Sequence, residues 1–388
     1  MLFCSDTYPP QVNGVSVVTE ISVRGLAARG WECAVIAPKY PADLSNPFSR
    51  EGVPNGEVVL SLPSMAMPTY PDIRLAVPDM SRVDRAVERF KPDLIHAETE
   101  FVIGRLGQRA ALRTGTPLVT SYHTDFSKYV RAYGIPMLQS AVSSYIGRFH
   151  RRARRTYTPS SPARNDLHAL GVRDVEVWGR GVNVQAFDPS RRDLQLRHSL
   201  GVGPDEMLFV HVGRLAREKN IDLILDAFRI ARGMIGARIH LVIAGAGPCE
   251  SELRAAAPSG TTFLGHLDRS TALPALYASG DAFLFSSLTE TLGLVVLEAM
   301  ASGTPVIATP AGGVADHLRH ETNGLVYPAN DARAMAEAML RLTTDDMLRH
   351  RLGKGALETA QWLTWEAELD RLDRSYRDVI DSSDRRAV

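Results

Sequence analysis

Residues 282–305 read AFLFSSLTETLGLVVLEAMASGTP. The apolar run at 282–285 is typical of a buried strand, the polar residues after it of a loop, and the apolar run from Val295 to Met300 of a helix with one buried face. Gly293 stands where the loop enters this helix. Strands that alternate with helices in this way build parallel, doubly wound sheets. The stretch therefore predicts an α/β fold.

The same stretch carries two glutamates, Glu290 in the predicted loop and Glu298 in the first turns of the predicted helix. Between them, the backbone N–H groups of Leu294 and Val295 would point outward from the positive end of the helix, which favours a bound phosphate. Carboxylates on either side can accept hydrogen bonds from hydroxyl groups. This arrangement predicts a sugar nucleotide, with the diphosphate at the helix end between ribose and hexose. The alternative is a core helix with two exposed glutamates.

A second charged segment, HVGRLAREKN at 211–220, ends another predicted buried strand. Arg214 and Lys219 fall in the loop after the carboxyl end of that strand, where open α/β sheets bind ligands. Two cations that face a helix N-terminus would neutralise a diphosphate and stabilise it as a leaving group. Considered alone, the segment is equally compatible with a solvated charge pair between this loop and Glu218.

Strand-like and helix-like segments alternate along the chain in two series, which predicts two Rossmann-like parallel sheets in tandem. The first series has strands near residues 34–37, 58–60, 94–96, 118–120, 156–158 and 175–177, and the second near 208–212, 239–243, 262–264, 282–285, 306–308 and 325–327. The polar stretch Asp188–Asp205 suits a linker between the sheets. Prolines between positions 41 and 78 predict long loops there.

The end of the chain has a helical pattern that places apolar side chains on one face. These side chains are Trp365, Leu369, Leu372 and Tyr376. A helix of this length at the end of a two-domain chain can leave its own domain. We expect it to pack back on the first domain.

Composition excludes several classes of protein. The 388 residues suit two domains. Because 44 basic side chains balance 44 acidic ones, binding of nucleic acid by bulk charge is disfavoured. Cys4, Cys33 and Cys249 form no metal-binding motif, and no Gly-x-Gly-x-x-Gly opens a helix, so neither a metal nor a dinucleotide cofactor is expected. The start resembles no signal peptide, and no stretch approaches the ~20 apolar residues that span a bilayer, which predicts a cytoplasmic protein.

Two further positions belong to the predicted first sheet. His123 follows the strand at 118–121 and so lies at a carboxyl end, although a single histidine is more often structural than catalytic. Residues 1–4 read as the tail of a first buried strand, and Gly14 opens the helix after the loop that follows it. A glycine there lets a ligand approach the backbone closely.

Six motifs follow one another along nearly the whole chain: DTYPPQVNGVS, SYHTDF, WGRGVN, HVGRLAREKN, LVIAGAGP and Glu290-x7-Glu298. Together they resemble the retaining glycosyltransferases of family 4, which have the GT-B fold of two Rossmann-like domains facing across a cleft. The segment YPDIRLAVP at 70–78 is most similar to the GDP-mannose-dependent α-mannosyltransferases and sulfoquinovosyl-type glycolipid synthases. The resemblance implies an acceptor-binding domain at 1–182, completed by a helix at about 364–388, and a nucleotide-sugar-binding domain at 183–363.

For the second domain, the resemblance implies that Glu298 binds the ribose hydroxyls and Glu290 the hexose hydroxyls. The backbone of Gly293–Val295, together with Arg214 and Lys219, would bind the diphosphate. These two cations would replace a metal ion, since the chain has no Asp-x-Asp motif. A metal-independent hexosyltransferase is therefore expected.

For the first domain, the resemblance implies that Gly14 approaches the β-phosphate and that His123 contacts the sugar near its anomeric centre. Transfer in such enzymes is thought to occur on one face of the sugar, with the leaving phosphate assisting deprotonation of the acceptor, so no protein nucleophile is expected. One departure concerns Asn183, where the family often has an aspartate after Gly-Val. This places in doubt an acceptor or hinge contact of that carboxylate, although Arg180 and Gly181 remain.

Other activities remain to be compared with transfer of mannose from GDP-mannose to a lipid or glycan. A UDP-sugar-dependent glycolipid synthase differs only in donor and acceptor, and the sequence fixes neither. A nucleotide-sugar 2-epimerase shares the architecture but acts on the donor alone. A phosphorylase is disfavoured because it needs a lysine for pyridoxal phosphate and a much longer chain. A non-catalytic sensor would lack the charged groups described above.

The segment Tyr145–Tyr157 reads as a helix that carries five arginines beside apolar Ile146 and Phe149. The arginines are Arg148, Arg151, Arg152, Arg154 and Arg155. A basic amphipathic segment can lie against anionic lipid, so it predicts a peripheral contact at the inner membrane face that brings the enzyme to a lipid acceptor. A solvated helix face that pairs with nearby acids is the alternative.

Overall fold

The computed structural model describes residues 1–387 except 12, 42–56, 68–69, 124–136, 138 and 180. The chain forms two compact units, residues 1–179 with 366–388 and residues 180–365. Each unit contains one large parallel sheet covered by helices on both faces. The predicted pair of Rossmann-like sheets is thereby confirmed.

The first unit has a seven-stranded parallel sheet of order β3-β2-β1-β6-β7-β8-β9. Its strands and those of a separate hairpin are β1 Leu2–Cys4, β2 Ala34–Pro38, β3 Glu57–Leu62, β4 Ser64–Met67, β5 Tyr70–Ala76, β6 Ile95–Ala97, β7 Leu118–Ser121, β8 Arg155–Thr158 and β9 Val175–Val177. Its helices are α1 Gly14–Ala27, α2 Met80–Phe90, α3 Val102–Thr114, α4 Gln139–His150 and α5 Ser161–Ala169. The strand order reverses between β1 and β6, which makes this the point where such sheets bind ligands.

The second unit has a six-stranded parallel sheet of order β12-β11-β10-β13-β14-β15. The strands are β10 Met207–Val212, β11 Ile239–Ala244, β12 Thr261–Gly265, β13 Ala282–Phe285, β14 Val306–Ala308 and β15 Gly324–Val326. The helices are α6 Leu194–Ser199, α7 Ile221–Ile235, α8 Glu250–Ala256, α9 Ala272–Ser279, α10 Leu294–Ala301, α11 Ala332–Thr344 and α12 Asp346–Gln361. Here the order reverses between β10 and β13.

Strand β10 shows why the second sheet is buried on both faces. Its Phe209 packs in the core under α7 and α11, and the next residue, Val210, packs in the core under α9 and α10. Since successive side chains of a strand point to opposite faces, a continuous apolar run is what a doubly covered parallel strand requires. The same reason explains why apolar runs located the strands correctly.

The last helix, α13 Trp365–Ala387, lies almost wholly in the first unit, as predicted. Its Leu372 and Tyr376 are fully buried. The indole N–H groups of Trp31 and Trp178 donate to the Asp373 carboxylate at 2.6 Å and to the Glu368 carbonyl oxygen at 2.8 Å. The helix therefore completes the core of the unit that contains the chain's start.

The predicted linker Asp188–Asp205 was wrong, because this stretch lies inside the second unit. Its Arg197 is buried, donates to the carbonyl oxygens of Ser279 and Glu206, and pairs with Asp281 at 2.8 Å. Arg197, which belongs to a polar stretch of sequence, thus anchors that stretch to the second unit. A polar composition alone did not distinguish a linker from a stretch anchored in this way.

The prediction of long loops after β3 was wrong in part. The strands β4 and β5 pair antiparallel as a separate hairpin, with Ser64 opposite Ala76. Both are edge strands, where the missing N–H of a proline such as Pro71 is tolerated. The rest of this prediction falls on residues 42–56 and 68–69, outside the described part of the chain.

The prediction of one helix over Tyr145–Tyr157 was also wrong in part. Helix α4 ends at His150, and β8 begins at Arg155 after a turn. The β-branched and aromatic residues at 156–158 favour a strand over a continued helix. The five arginines are therefore divided among a helix, a turn and a strand and do not share one helix face.

Candidate active site

Two loops meet at the point where the second sheet reverses its strand order. One loop follows β10 and carries Arg214 and Lys219, and the other follows β13 and carries Glu290. The hydroxyls of Ser286 and Ser287 donate to the carbonyl oxygens of Lys219 and Glu218, at 2.8 Å and 3.1 Å. These bonds hold the two loops together at the carboxyl edge of the sheet.

Lys219 and Glu290 form an ion pair across these loops. The Nζ of Lys219 lies 2.5 Å from the Oε2 of Glu290, and their side chains are 17% and 22% exposed. Arg214 pairs instead with Glu218, whose side chain is buried. The sequence allowed a charge pair between this loop and Glu218, and the structure shows that it involves Arg214. Lys219 is the cation that reaches the neighbouring loop.

The backbone around Glu290 depends on glycines. Gly313 donates its N–H to the carbonyl oxygen of Glu290 at 2.9 Å, and a Cβ at Gly312 would overlap that same oxygen. Gly293 caps the start of α10 with φ 80°, a left-handed conformation that favours glycine. Among the described residues, no side chain forms a cap hydrogen bond at this helix end. The N–H groups of Leu294 and Val295 therefore have the free position that an anion site at a helix start requires.

Glu298 differs from the sequence-based alternative of an exposed glutamate, because it is 1% exposed. Helix α10 is buried nearly all round, rather than on one face as predicted. The Tyr277 hydroxyl donates to Glu298 Oε2 at 3.1 Å, and Arg269 forms an ion pair with Oε1. Burial raises the pKa of Glu298, while Arg269 and Tyr277 oppose this rise. The sequence indicated neither partner.

In the first unit, His123 lies just beyond the carboxyl end of β7, as predicted. Its Nε2 is 2.7 Å from Oε2 of Glu98, which follows the neighbouring strand β6. Burial disfavours the charged form of Glu98, but the imidazoles of His96 and His123 and a hydrogen bond from Ser121 outweigh it and lower its pKa. Sequence reasoning missed Glu98. The available signal was its position after a strand next to the one that precedes His123.

Gly14 is exposed at the first position of α1, and among the described residues no atom beyond its chain neighbours and its own helix lies within 4 Å of where its Cβ would be. The preceding Asn13 caps this helix, since its Oδ1 accepts the N–H of Ser16 at 2.9 Å. The carboxyl-edge position of Gly14 therefore agrees with the sequence. Approach of a phosphate to it stays a prediction.

The Asn183 side chain has a local role in the structure. Its Oδ1 accepts the N–H groups of Gln185 and Ala186, both at 3.1 Å. An aspartate carboxylate would accept the same bonds, so this turn does not require the family's more frequent residue. A Cβ at Gly181 would overlap the ring of Trp365, and Arg180 lies outside the described residues.

Comparison with known proteins adds a family to this geometry. A model described as glycosyl transferases group 1 matches residues 194–359, and one described as glycosyltransferase family 4 matches residues 12–186. A GDP-mannose-dependent alpha-mannosyltransferase of Mycobacterium tuberculosis (strain CDC 1551 / Oshkosh) is 34% identical over 377 residues, which cover 97% of this chain and 95% of the relative. The chain belongs to the family 4 glycosyltransferases.

Two further comparisons agree with the assignment of this chain to the glycosyltransferases. The sulfoquinovosyl transferase SQD2 of Arabidopsis thaliana is 32% identical over 335 residues, or 84% of this chain and 64% of the relative. The structure of sucrose-phosphate synthase from Thermosynechococcus elongatus matches with a TM-score of 0.79 at 21% identity, covering 98% of this chain and 99% of that one. The glycosyltransferase thus has the GT-B fold, and the family makes it a hexosyltransferase. Among its described helices, none has the length and apolarity to cross a membrane.

Proposed function

We propose that this glycosyltransferase transfers a hexose from a nucleotide sugar to a lipid or glycan acceptor, with retention of configuration and without a metal ion. Mannose from GDP-mannose is the first choice, because the relative from Mycobacterium tuberculosis is named for that donor. The observation that carries the proposal is the Lys219–Glu290 pair beside the uncapped start of α10. It combines a cation, a carboxylate and free helix amides at one sheet edge.

The diphosphate of the donor lies at the start of α10 in this proposal. Backbone N–H groups of Gly293–Val295 and the ammonium of Lys219 contact its oxygens, and the helix dipole favours its negative charge. The Arg214 guanidinium adds a second positive charge from the same loop. Release of the sugar increases charge on the departing phosphate, so these fixed donors stabilise the transition state more than the ground state.

Glu290 and Glu298 bind the two sugar rings of the donor in this proposal. Glu290 exchanges part of its contact with Lys219 for hydroxyls of the hexose. Its 22% exposed side chain gives the sugar access to it. Glu298 binds the ribose hydroxyls, which share the buried carboxylate with Arg269. Hydrogen bonds to a charged acceptor are stronger than neutral ones, so both contacts favour correct placement of the donor.

In the first unit, the proposal gives roles to His123 and Gly14. His123 contacts the transferred sugar near its anomeric carbon, and Gly14 leaves room for the β-phosphate at the start of α1. The acceptor hydroxyl attacks on the face from which the diphosphate leaves, and a phosphate oxygen takes its proton. No side chain is assigned the role of nucleophile.

A donor panel tests the proposal. Purified protein is incubated with GDP-mannose, UDP-glucose and UDP-sulfoquinovose, each with and without a diacylglycerol or mannosyl-lipid acceptor, and released GDP or UDP is measured. The expected result is release of GDP from GDP-mannose that depends on the acceptor. Release of UDP alone would favour a UDP-sugar glycolipid synthase, which the similarity to the sulfoquinovosyl transferase supports. Conversion of a donor to its C2 epimer without acceptor would contradict the proposal and identify an epimerase.

We also propose peripheral attachment to anionic membrane at the cytoplasmic face, now centred on Arg152 and Arg154. Neither makes an ion pair or hydrogen bond through its side chain with any residue that the structure describes. By contrast, Arg155 pairs with Asp174 at 3.1 Å and Arg151 donates to the Leu170 carbonyl oxygen. Each exposed basic residue near anionic lipid contributes about 1 kcal/mol, which salt weakens.

The surroundings of these two arginines support a phosphate group as the bound chemistry. A pocket of about 390 Å³ is lined by Arg152, Ala153, Arg154, Arg155, Asp174, Val379 and Ser382. It lies at the amino end of β8, on the edge of the sheet opposite to His123. Sedimentation with phosphatidylglycerol vesicles at low salt should be lost in the double variant Arg152→Gln/Arg154→Gln and kept in the control Arg333→Gln/Arg351→Gln. A wild-type protein that never sediments would contradict attachment.

A further inference from the structure

A network of buried polar side chains connects the last helix to His123. The Tyr376 hydroxyl of α13 lies 2.6 Å from His96 Nδ1, and His96 Nε2 lies 2.7 Å from Ser121 Oγ. Glu98 comes next, in contact with His96 on one side and His123 on the other. All except His123 are at most 1% exposed. This network connects helix α13 to the carboxyl edge of the first sheet.

Burial favours the neutral form of both Tyr376 and His96 in this network. Burial raises the pKa of Tyr376 well above the ordinary value, so the phenol keeps its proton near pH 7 and can donate it to His96 Nδ1. It lowers the pKa of His96 to about 4, so this ring is neutral near pH 7. A neutral ring that accepts at Nδ1 carries its hydrogen on Nε2, from which it donates to Ser121. In that arrangement the Ser121 hydroxyl uses its own hydrogen to donate to Glu98.

The state of Glu98 determines that of His123. An ionised carboxylate only accepts hydrogen bonds, so the 2.7 Å contact requires a hydrogen on Nε2 of His123. The neutral His123 ring then has its lone pair on Nδ1. A carboxylate partner also fixes the plane of an imidazole and stabilises its protonated form.

We propose that Glu98 is the positioning residue of His123 and sets its ring orientation and tautomer. Tyr376 and Ser121 both contact His96, and together with His96 they hold the Glu98 carboxylate in place. The inference rests on the proposed contact of His123 with the transferred sugar. It makes the last helix of the chain a support of the candidate active site.

A purely structural role for Glu98 explains the geometry less well. Burying a carboxylate costs several kcal/mol unless hydrogen bonds compensate it. Glu98 Oε1 is buried, yet it has no hydrogen-bond partner among the described residues. A residue that served the core alone would be replaced at lower cost by an apolar side chain. Its 2.7 Å contact to His123 lies at the edge where such sheets bind ligands.

Nitrogen NMR of the full-length protein tests the tautomer directly. Protein labelled with ¹⁵N-histidine gives ring signals, and the His123→Gln variant identifies those of His123. We expect the wild type to show hydrogen on Nε2 and a lone pair on Nδ1. The opposite tautomer in the wild type would overturn the inference without any further variant.

The Glu98→Gln variant tests the role, with Glu100→Gln as its matched control. Glu100 lies two residues further along, is also buried, and contacts His150 at 3.2 Å instead of His123. Glu98→Gln should populate both His123 tautomers and lower kcat with GDP-mannose about 10- to 100-fold, while KM changes less than about threefold. Glu100→Gln should leave the His123 signals and kcat unchanged. Circular dichroism checks that both variants fold.

A second pair of variants tests the support from α13. Tyr376→Phe removes the hydroxyl that contacts His96, whereas Tyr157→Phe removes a buried hydroxyl that contacts Ser375 at 2.7 Å. Only Tyr376→Phe should shift the His123 signals. Unchanged signals in both Glu98→Gln and Tyr376→Phe would overturn the inference. Shifted signals with unchanged turnover would support the effect of Glu98 on His123 and would instead contradict the proposed contact of His123 with the sugar.

Discussion

Both glutamates proposed to bind donor hydroxyls already have cationic partners. Glu290 contacts Lys219, and Glu298 contacts Arg269. The first pair is partly exposed and opens to a ligand at small cost, since exposed ion pairs contribute little stability. The second involves a carboxylate that is 1% exposed, so in the proposed site the ribose hydroxyls would bind beside Arg269 rather than in its place. We therefore expect the two glutamates to respond differently to substitution.

Substitution of each glutamate by glutamine should separate their proposed roles. Glu298→Gln should weaken binding of free nucleotide at least tenfold, because the ribose loses a charged acceptor. Glu290→Gln should leave nucleotide affinity nearly unchanged and reduce transfer, because the hexose is absent from the free nucleotide. Calorimetric titration with GDP and UDP, followed by turnover measurements, compares the two. If only Glu290→Gln lost nucleotide affinity, the roles would be exchanged.

Removal of either loop cation should reduce turnover by about two orders of magnitude, because each charge faces the departing diphosphate. Lys219→Ala also leaves Glu290 without its cation, so it should raise KM for the donor as well. Arg229→Ala, which removes an exposed arginine paired with Asp226 in the same unit, is the control. Turnover near that of the wild type in both Lys219→Ala and Arg214→Ala would contradict the diphosphate site.

At the candidate site, the sequence predicted residues at the ends of strands and missed their partners. His123, Lys219 and Glu290 lie in loops that follow apolar runs, and the ends of such runs can be recognised in the sequence alone. Glu98 and Arg269 act through contacts across 25 and 29 positions of the chain. Periodicity carries no information on pairs at such separations. Which cation meets which carboxylate therefore required the structure.

Among the secondary-structure elements, β10 contains a buried histidine in its apolar run. His211 is 1% exposed, and its Nδ1 lies 2.9 Å from the Leu284 carbonyl oxygen of the adjacent strand. Burial lowers the pKa of His211 to about 4, and the bond to Leu284 offsets this only in part. The ring is neutral near pH 7, and its protonation would lower the stability of the folded state.

Acid should therefore destabilise the second unit through β10. In the unfolded chain a histidine binds its proton near pH 6.5, so between pH 6.5 and about 4 the unfolded state holds more protons and stability falls as pH falls. The cost between pH 7 and 4.5 is about 2 to 3 kcal/mol. Urea unfolding at both pH values should show a smaller loss for His211→Asn than for the wild type. The exposed control His350→Asn should lose as much as the wild type, and an equal loss in His211→Asn would contradict this assignment.

The strands of the two parallel sheets were predicted within one or two residues, whereas the hairpin of β4 and β5 and the structure of residues 188–205 were not predicted. The edge strand β9 is only partly buried, whereas central strands such as β10 are apolar because they are covered on two faces. The hairpin of β4 and β5 lies outside those sheets and lacks this signal. The stretch 188–205 was misread because the ion pair of Arg197 with Asp281, distant in sequence, makes an arginine part of the interior.

For the whole molecule, the proposed absence of a metal ion gives a direct prediction. Excess EDTA should leave turnover with GDP-mannose within about twofold of the untreated rate, because Lys219, Arg214 and the start of α10 supply the positive charge. Measurement of GDP release before and after chelation, with Mg²⁺ and Mn²⁺ added back, checks this. Loss of activity that only a metal restores would show that the diphosphate is bound differently.

The last helix has a consequence for how the protein is made. Tyr376 packs against Trp31, His96 and Tyr157, which are translated long before it. Residues 180–365 emerge from the ribosome between them and are sufficient for the second unit. Domains fold as their chains become complete during synthesis. The first unit to be translated is therefore the last to be finished, and its apolar surface stays open to chaperones while the whole second unit is synthesised.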